Sequence, residues 1–172
     1  LNSISYWETV HLNIDNQAGN DILVGQAGFG GNNQSIFGYL HTGNNTPNNI
    51  FLNAPDLLYE TPAGLIWPRG LELHDIDGNS QNDLITAMQC EQLINNIQSG
   101  NGALLISRDV PTAAGNYPAA NLNWEILPIP GQPVGIDIGD IDGDGDDDIV
   151  VAVHYPMSFV RVYETNGNGN FF

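Results

Sequence analysis

The chain has no lysine. Its three basic side chains are Arg69, Arg108 and Arg161, set against twenty aspartates and glutamates for a formal net charge of −17. Nucleic acid and anionic membrane surfaces are bound chiefly through clustered lysine and arginine, so neither is an expected partner and cations are the natural ones. Cysteine is nearly as scarce. With Cys90 alone there is no internal disulfide framework and no thiolate metal cluster, and the residue reads as a small buried thiol. No hydrophobic run approaches the roughly eighteen apolar residues of a membrane span, so membrane insertion is not expected. No basic segment followed by an apolar one opens the chain, and its first residue, Leu1, is read as the start of a processed product or of a segment of something longer. A length of 172 residues can bury one sizeable core and fits a single domain or part of one.

Helical periodicity is also missing. The apolar runs are short and rich in β-formers (DILVGQ, SIFGYLH, DLITAM, ALLIS, NWEILPI, DIVVAV, SFVRVY), each bounded by Gly, Asn, Pro or Asp. Twenty glycines and ten prolines lie between them, as an all-β chain with many turns requires. Only CEQLINNIQ, residues 90–98, reads as helical, a short insertion in a loop.

What is present is a repeat. LNIDNQAGNDILVG from residue 12, HDIDGNSQNDLITA from residue 74 and GDIDGDGDDDIVVA from residue 139 align without gaps, with Asn13, Asp75 and Asp140 spaced 62 and 65 residues apart. A near-constant period of this size is one supersecondary unit repeated. Each copy has an apolar strand (SYWETVHL, RGLELH, PVGIDIG), the acidic loop, a second strand (DILVGQ, DLITAM, DIVVAV) and a third (SIFGYLH, GALLISRD, SFVRVYE). Two copies add a fourth strand, NIFLNA and LNWEILP. Four antiparallel strands per repeat is the composition of a propeller blade, so the expected fold is all-β, with β-propeller blades over repeats of approximately 1–60, 61–130 and an incomplete 131–172.

The acidic loops carry the chemistry. Residues 140–148 hold six aspartates in nine positions, directly before a strand that must be buried. Oxygen-bearing side chains fall at the first, third, fifth and ninth positions, and the seventh offers a backbone carbonyl. In the third copy these are Asp140, Asp142, Asp144, Asp146 through its carbonyl, and Asp148. The second copy has Asp75, Asp77, Asn79, Gln81 through its carbonyl, and Asp83; the first has Asn13, Asp15, Gln17, Gly19 through its carbonyl, and Asp21. Ca²⁺ takes about six to eight oxygens at about 2.3 to 2.6 Å, and alternate residues of a tight loop can wrap such a set around one ion. Calcium is therefore expected at the second and third loops, more weakly at the second, with the first as a possible further site. Mg²⁺ suits the loops less because it demands strict octahedral geometry, and Zn²⁺ lacks clustered His or Cys. An EF-hand shares the D-x-D-G-D-G opening but needs a bidentate glutamate at its twelfth position, where Val151 stands, and helices rather than strands on either side.

DIDGDGDDDIVV, followed by ETNGNGNF, resembles the FG-GAP or VCBS-type repeat of integrin α-subunit-like β-propellers and of many secreted bacterial proteins. The resemblance spans nearly three repeats and is most specific in the second and third. It implies propeller blades with Ca²⁺ in the hairpin joining the first two strands of each, on the residues just named. The first copy departs at Asn13 and Gln17, and Phe29-Gly30 and Phe37-Gly38 are the candidates for the FG pair.

Propellers close with about 4 to 8 blades. Two blades and part of a third make an arc, to be completed by further blades of the same or other chains; residues 1–5 supplying another subunit's missing outer strand is a minority reading. No catalytic constellation stands out. His11, His41, His74 and His154 show no metal-protease spacing, no G-x-S-x-G elbow occurs, and Trp7, Trp67 and Trp124 read as blade packing. The leading expectation is a non-enzymatic extracellular module in which calcium is structural and the surface binds a protein or glycan partner in adhesion or assembly. A lectin and the propeller section of a secreted polysaccharide-active enzyme are the alternatives. Secretion is expected because weakly charged loops suit millimolar calcium. Asn33-Gln34-Ser35 and Asn44-Asn45-Thr46 are formal glycosylation sequons.

Overall fold

Alternating apolar and polar residues between Gly, Asn and Pro breaks give strands, and the computed structural model is all-β among the residues it describes, 5–15, 17–27, 35–42, 57–62, 64–90, 97–110 and 122–171. The first sheet is β1 (Ser5–Leu12), β2 (Asp21–Ala27), β3 (Ser35–Tyr39) and β4 (Leu57–Glu60). The second is β5 (Leu65–His74), β6 (Asp83–Cys90), β7 (Gly102–Ser107) and β8 (Trp124–Ile129). The third is β9 (Pro133–Gly139), β10 (Asp148–Val153) and β11 (Phe159–Tyr163). All three are antiparallel meanders whose strands pair in chain order.

The sheets share a register as well as a topology. Val10 faces Leu23, Glu72 faces Ile85 and Asp137 faces Val150 across the first two strands of each sheet. One side of every sheet can therefore be named consistently, and the core follows from it. Leu23 and Ile36 of the first sheet pack with Leu71, Leu73 and Leu84 of the second. Ile85, Ala87, Leu104 and Ile106, on the second sheet's opposite side, pack with Ile149, Val151, Val153 and Tyr163 of the third. Thus the second sheet is covered on both faces, which is why every residue of β7, GALLIS, is buried. Strand β5 lies against β1 and β2 on one side and against β9 on the other.

Several expectations shift in detail. NIFLNA, 49–54, lies outside the described residues, and the strand that pairs with β3 is LLYE at Leu57–Glu60. Strand β5 begins at Leu65, ahead of RGLELH, and reaches its regular stretch through irregularities on both sides of Pro68, with Trp67 at a φ of 51°. Proline cannot donate to the ladder, so the pairing bulges around it. Of the helical reading at 90–98, Cys90 ends β6 and Ile97 forms a bridge; 91–96 lie outside the described residues, as do 1–4, Phe29-Gly30 and most of both sequons. Cys90 is buried, its thiol directed at the Ile97 carbonyl at 3.7 Å. Val151 is buried in β10, which settles the twelfth loop position as strand.

Candidate metal centres

The three acidic loops leave and rejoin their sheets at equivalent points. Leu12 and Asp21, His74 and Asp83, and Gly139 and Asp148 are cross-strand partners, so each loop must reverse within one inter-strand spacing. Side-chain oxygens do the turning. In the second loop Asp75 accepts the backbone N–H groups of Asn79 (2.9 Å) and Ser80 (2.7 Å), and Asn79 Oδ1 accepts that of Gln81 (2.7 Å). In the third, Asp140 accepts from Gly143 (2.7 Å) and Gly145 (3.2 Å), Asp142 from Asp144 (3.0 Å), and Asp144 from Asp146 (3.0 Å). The first loop repeats one of these bonds, Gln17 N–H to Asp15 at 2.9 Å, but Asn13 donates its amide to the Gln17 carbonyl at 2.7 Å. The bonds that span two residues, from Asp15, Asn79, Asp142 and Asp144, are Asx turns, which place alternate side chains on one side of the chain.

Two convergent carboxylate clusters result. Oxygens of Asp75, Asp77 and Asp83 lie within 4.8 Å of one another, and so do those of Asp140, Asp142 and Asp144; either cluster can hold a metal ion. Asp148 lies outside the second of these groups. Asn79 is exposed, its amide nitrogen donating to Asp109 at 2.7 Å; of the seventh residues Gln81 is exposed and Asp146 half-buried. In the first loop Asn13 and Gln17 are exposed and Asp15 is half-buried. Gly19 is held at a φ of 115° against the His41 ring.

Left-handed backbone makes these turns possible. The fourth residues, Gly78 and Gly143, have φ of 71° and 83°, and the sixth, Ser80 and Gly145, have 71° and 97°. A serine there carries a steric cost that the third copy avoids. Ser80→Gly is expected to raise stability by about 0.5 kcal/mol, the strain relieved exceeding the added flexibility of the unfolded chain. Urea unfolding measures it; a loss would show that Ser80 contributes through its hydroxyl.

The ninth residues do a further job, which in the second loop falls to a member of the carboxylate cluster itself. Asp21, Asp83 and Asp148 are buried, and each carboxylate joins the second loop residue to the chain just beyond the third strand. Asp21 accepts from Ile14 and His41, both at 2.6 Å; Asp83 from Ile76 (3.2 Å) and Asp109 (2.9 Å); Asp148 from Ile141 (3.2 Å) and Thr165 (2.9 Å). Burial pushes the Asp83 carboxyl above its ordinary range, opposed by the N–H groups of Asp109 and Ile76 and by the Arg108 guanidinium.

Sequence reasoning missed what surrounds the clusters. Arg108 reaches Asp83 at 3.2 Å, donates to the Gly169 carbonyl at 2.7 Å, approaches Glu125 at 3.6 Å and lies over the Phe171 ring at 5.5 Å. His74 Nε2 meets Asp147 Oδ2 at 2.8 Å, joining the second loop's entrance to the third loop. Residues 164–171 run between these loops: Thr165 Oγ1 donates to the Asp147 carbonyl at 2.9 Å, Gly167 abuts the Asp146 carboxylate, and Gly169 abuts Asp77. Gly167 and Gly169 have φ of 65° and 70°, so the NGNGN composition answers both a backbone need and a close approach. Gly167→Ala is expected to cost about 2 kcal/mol, from left-handed strain and a methyl group driven into Asp146. An unchanged thermal midpoint would show that the segment can move aside. The signal was legible only as a resemblance, because the contacts join residues far apart in sequence.

Trp124 donates its indole N–H to the Glu60 carbonyl at 2.9 Å, between the first and second sheets, and Trp67 has the Arg69 guanidinium at 5.8 Å from its ring. Phe37 and Gly38 lie in β3. No family model matches the chain, and no curated protein or solved structure is significantly similar to it.

Proposed function

We propose that the chain is an extracellular calcium-binding module built of β-propeller blades, in which the ions stiffen a scaffold that binds a protein or glycan partner. The observation that carries this reading is the shared loop register: two loops on equivalent strands bring three carboxylates each to one point. Their donors are all oxygen, which suits a hard cation, and a flexible loop suits the larger Ca²⁺ better than Mg²⁺. Asp140, Asp142 and Asp144 would hold one ion, with the Asp146 carbonyl and Asp148 as further donors. Asp75, Asp77, Asn79 and Asp83 would hold another, with the Gln81 carbonyl. Arg108 already places one positive charge beside Asp83, so the third loop should bind more tightly than the second. With two amides in place of carboxylates, the first should be weakest. Two ions change the formal charge from −17 to −13 and relieve repulsion where it is densest.

The propeller reading is supported by meanders stacked face to face with their first strands adjacent. Secretion is supported by the amides that replace carboxylates in the first and second loops, since fewer charged ligands suit extracellular rather than cytosolic calcium. Calorimetric titration of Ca²⁺ into chelator-stripped protein, with Mg²⁺ as control, tests the reading. Binding of two or three ions at sub-millimolar to millimolar calcium is expected. No heat at millimolar calcium would reduce the loops to acidic turns.

A further inference from the structure

The shared register allows each face of each sheet to be compared with its counterparts. On the side of the first sheet that carries Leu23, the neighbours are Ile14 and Ile36, all buried against the second sheet. The equivalent side of the second sheet carries Ile76, Ile85, Ala87, Leu104 and Ile106, all buried against the third. On the third sheet the same positions are Ile141, Val150, Ala152, Val160 and Val162. These five are apolar too, with the exposed carboxylate of Asp137 beside Val150 on the same face; no described strand packs across them, Val150 and Ala152 are half-buried, and Ile141 is 57% and Val160 64% exposed. Buried twice within the chain and bare the third time, this face has the composition of an interface.

Its complement is on the same chain. The faces that cover it internally are those of Leu71, Leu73 and Leu84 in the second sheet and of Ile138, Ile149 and Val151 in the third. The equivalent positions in the first sheet are Thr9, His11, Ile22 and Val24, with Phe37 and Tyr39 paired beside them. Neither carboxylate nor cation stands among these six, apart from any charge on His11, and none of the described core clusters includes them. We propose that the exposed face of the third sheet docks the first sheet of a second copy of this chain, head to tail, continuing the stacking found twice inside one copy. Such an interface is heterologous, so it repeats from copy to copy and gives a closed ring where the rotation closes. The proposal does not depend on calcium, although bound ions would lower the repulsion between copies.

The test is sedimentation velocity on the full chain in about 0.15 M salt, where exposed charges are screened beyond about 8 Å. Concentration-dependent association is expected. Val160→Lys blocks one face and Thr9→Lys the other; both positions are exposed, so at dilutions where the parent is dissociated both variants should keep its unfolding temperature. Each variant alone should be monomeric, and an equimolar mixture should form a two-chain species, since each supplies the face the other lacks. Ile141→Lys, in a loop, repeats the first block without altering a strand. A parent chain that is monomeric at every concentration overturns the proposal, as does a mixture that stays monomeric. A Thr9→Lys chain that still dimerises would indicate two third sheets pairing with each other and overturns the head-to-tail arrangement.

Discussion

Asp21→Ala is expected to destabilise the chain by about 3 to 6 kcal/mol, because two short hydrogen bonds to a buried carboxylate disappear and hydrogen bonds to charged groups contribute roughly 1.5 to 3 kcal/mol each. The N–H groups of Ile14 and His41 would be left without their acceptor, one at the start of the loop and one beyond β3. Alanine also removes the cost of burying a carboxylate, which favours the lower half of that range. For a chain of this size the loss corresponds to a fall of about 6 to 24 °C in thermal midpoint. Asp21→Asn keeps one carbonyl acceptor and should recover about half. The measurement is urea unfolding of both variants in chelator, where metal binding plays no part. A loss under about 1 kcal/mol for alanine would mean that the loop and the third strand hold together without this carboxylate, and the same conclusion would extend to Asp83 and Asp148.

That experiment bears on why the ninth aspartate was only half legible in the sequence. Its recurrence before each second strand was plain, and carboxylates spaced at alternate positions pointed to a cation. Spacing alone does not reveal that this one side chain is buried against two backbone N–H groups, in the second loop while also converging with Asp75 and Asp77, because that depends on where residues some twenty positions later return. His41, Asp109 and Thr165 supply those N–H groups and follow third strands of different loop lengths. Arg108 and His74 were hidden for the same reason. Both make contacts across sheets, Arg108 to Gly169 and His74 to Asp147, and a repeat alignment compares equivalent residues rather than those that meet.

Strands were more legible where alternation was undisturbed. PVGIDIG and DIVVAV coincide with β9 and β10, and SYWETVHL with β1. The start of β5 was lost behind Pro68 and Gly70, residues that ordinarily mark a break but here accommodate a bulge and the close approach of Ile136. Gly70 lies where a β-carbon would meet the Ile136 backbone nitrogen at 2.7 Å, so the glycine serves the packing of β5 on β9 rather than a turn. The stacking of the sheets was legible through the repeat itself: a unit that cannot cover its own faces must be covered by its neighbours.

Removing calcium is expected to produce the second large effect, and Asp142→Ala should locate it. With dissociation constants of about 0.1 to 1 mM, as in extracellular calcium modules, about 2 mM free Ca²⁺ would stabilise the folded chain by about 0.6 to 1.8 kcal/mol per site. Two sites then correspond to a fall of about 3 to 14 °C in thermal midpoint on chelation. Each tenfold rise in calcium should add about 1.4 kcal/mol per saturated site. Asp142→Ala should abolish the contribution of the third loop and lower stability in calcium. In chelator the same change should be nearly neutral or stabilising, because it removes one of six like charges crowded into residues 140–148. Asp77→Ala should behave similarly at the second loop, with a smaller calcium-dependent part, since Arg108 already offsets charge there. The comparison is made by thermal unfolding of parent and variants across a calcium series. Equal losses with and without calcium would mean that Asp142 and Asp77 matter only as turn-formers, accepting the N–H groups of Asp144 and Asn79, and the cation reading of both loops would fall together.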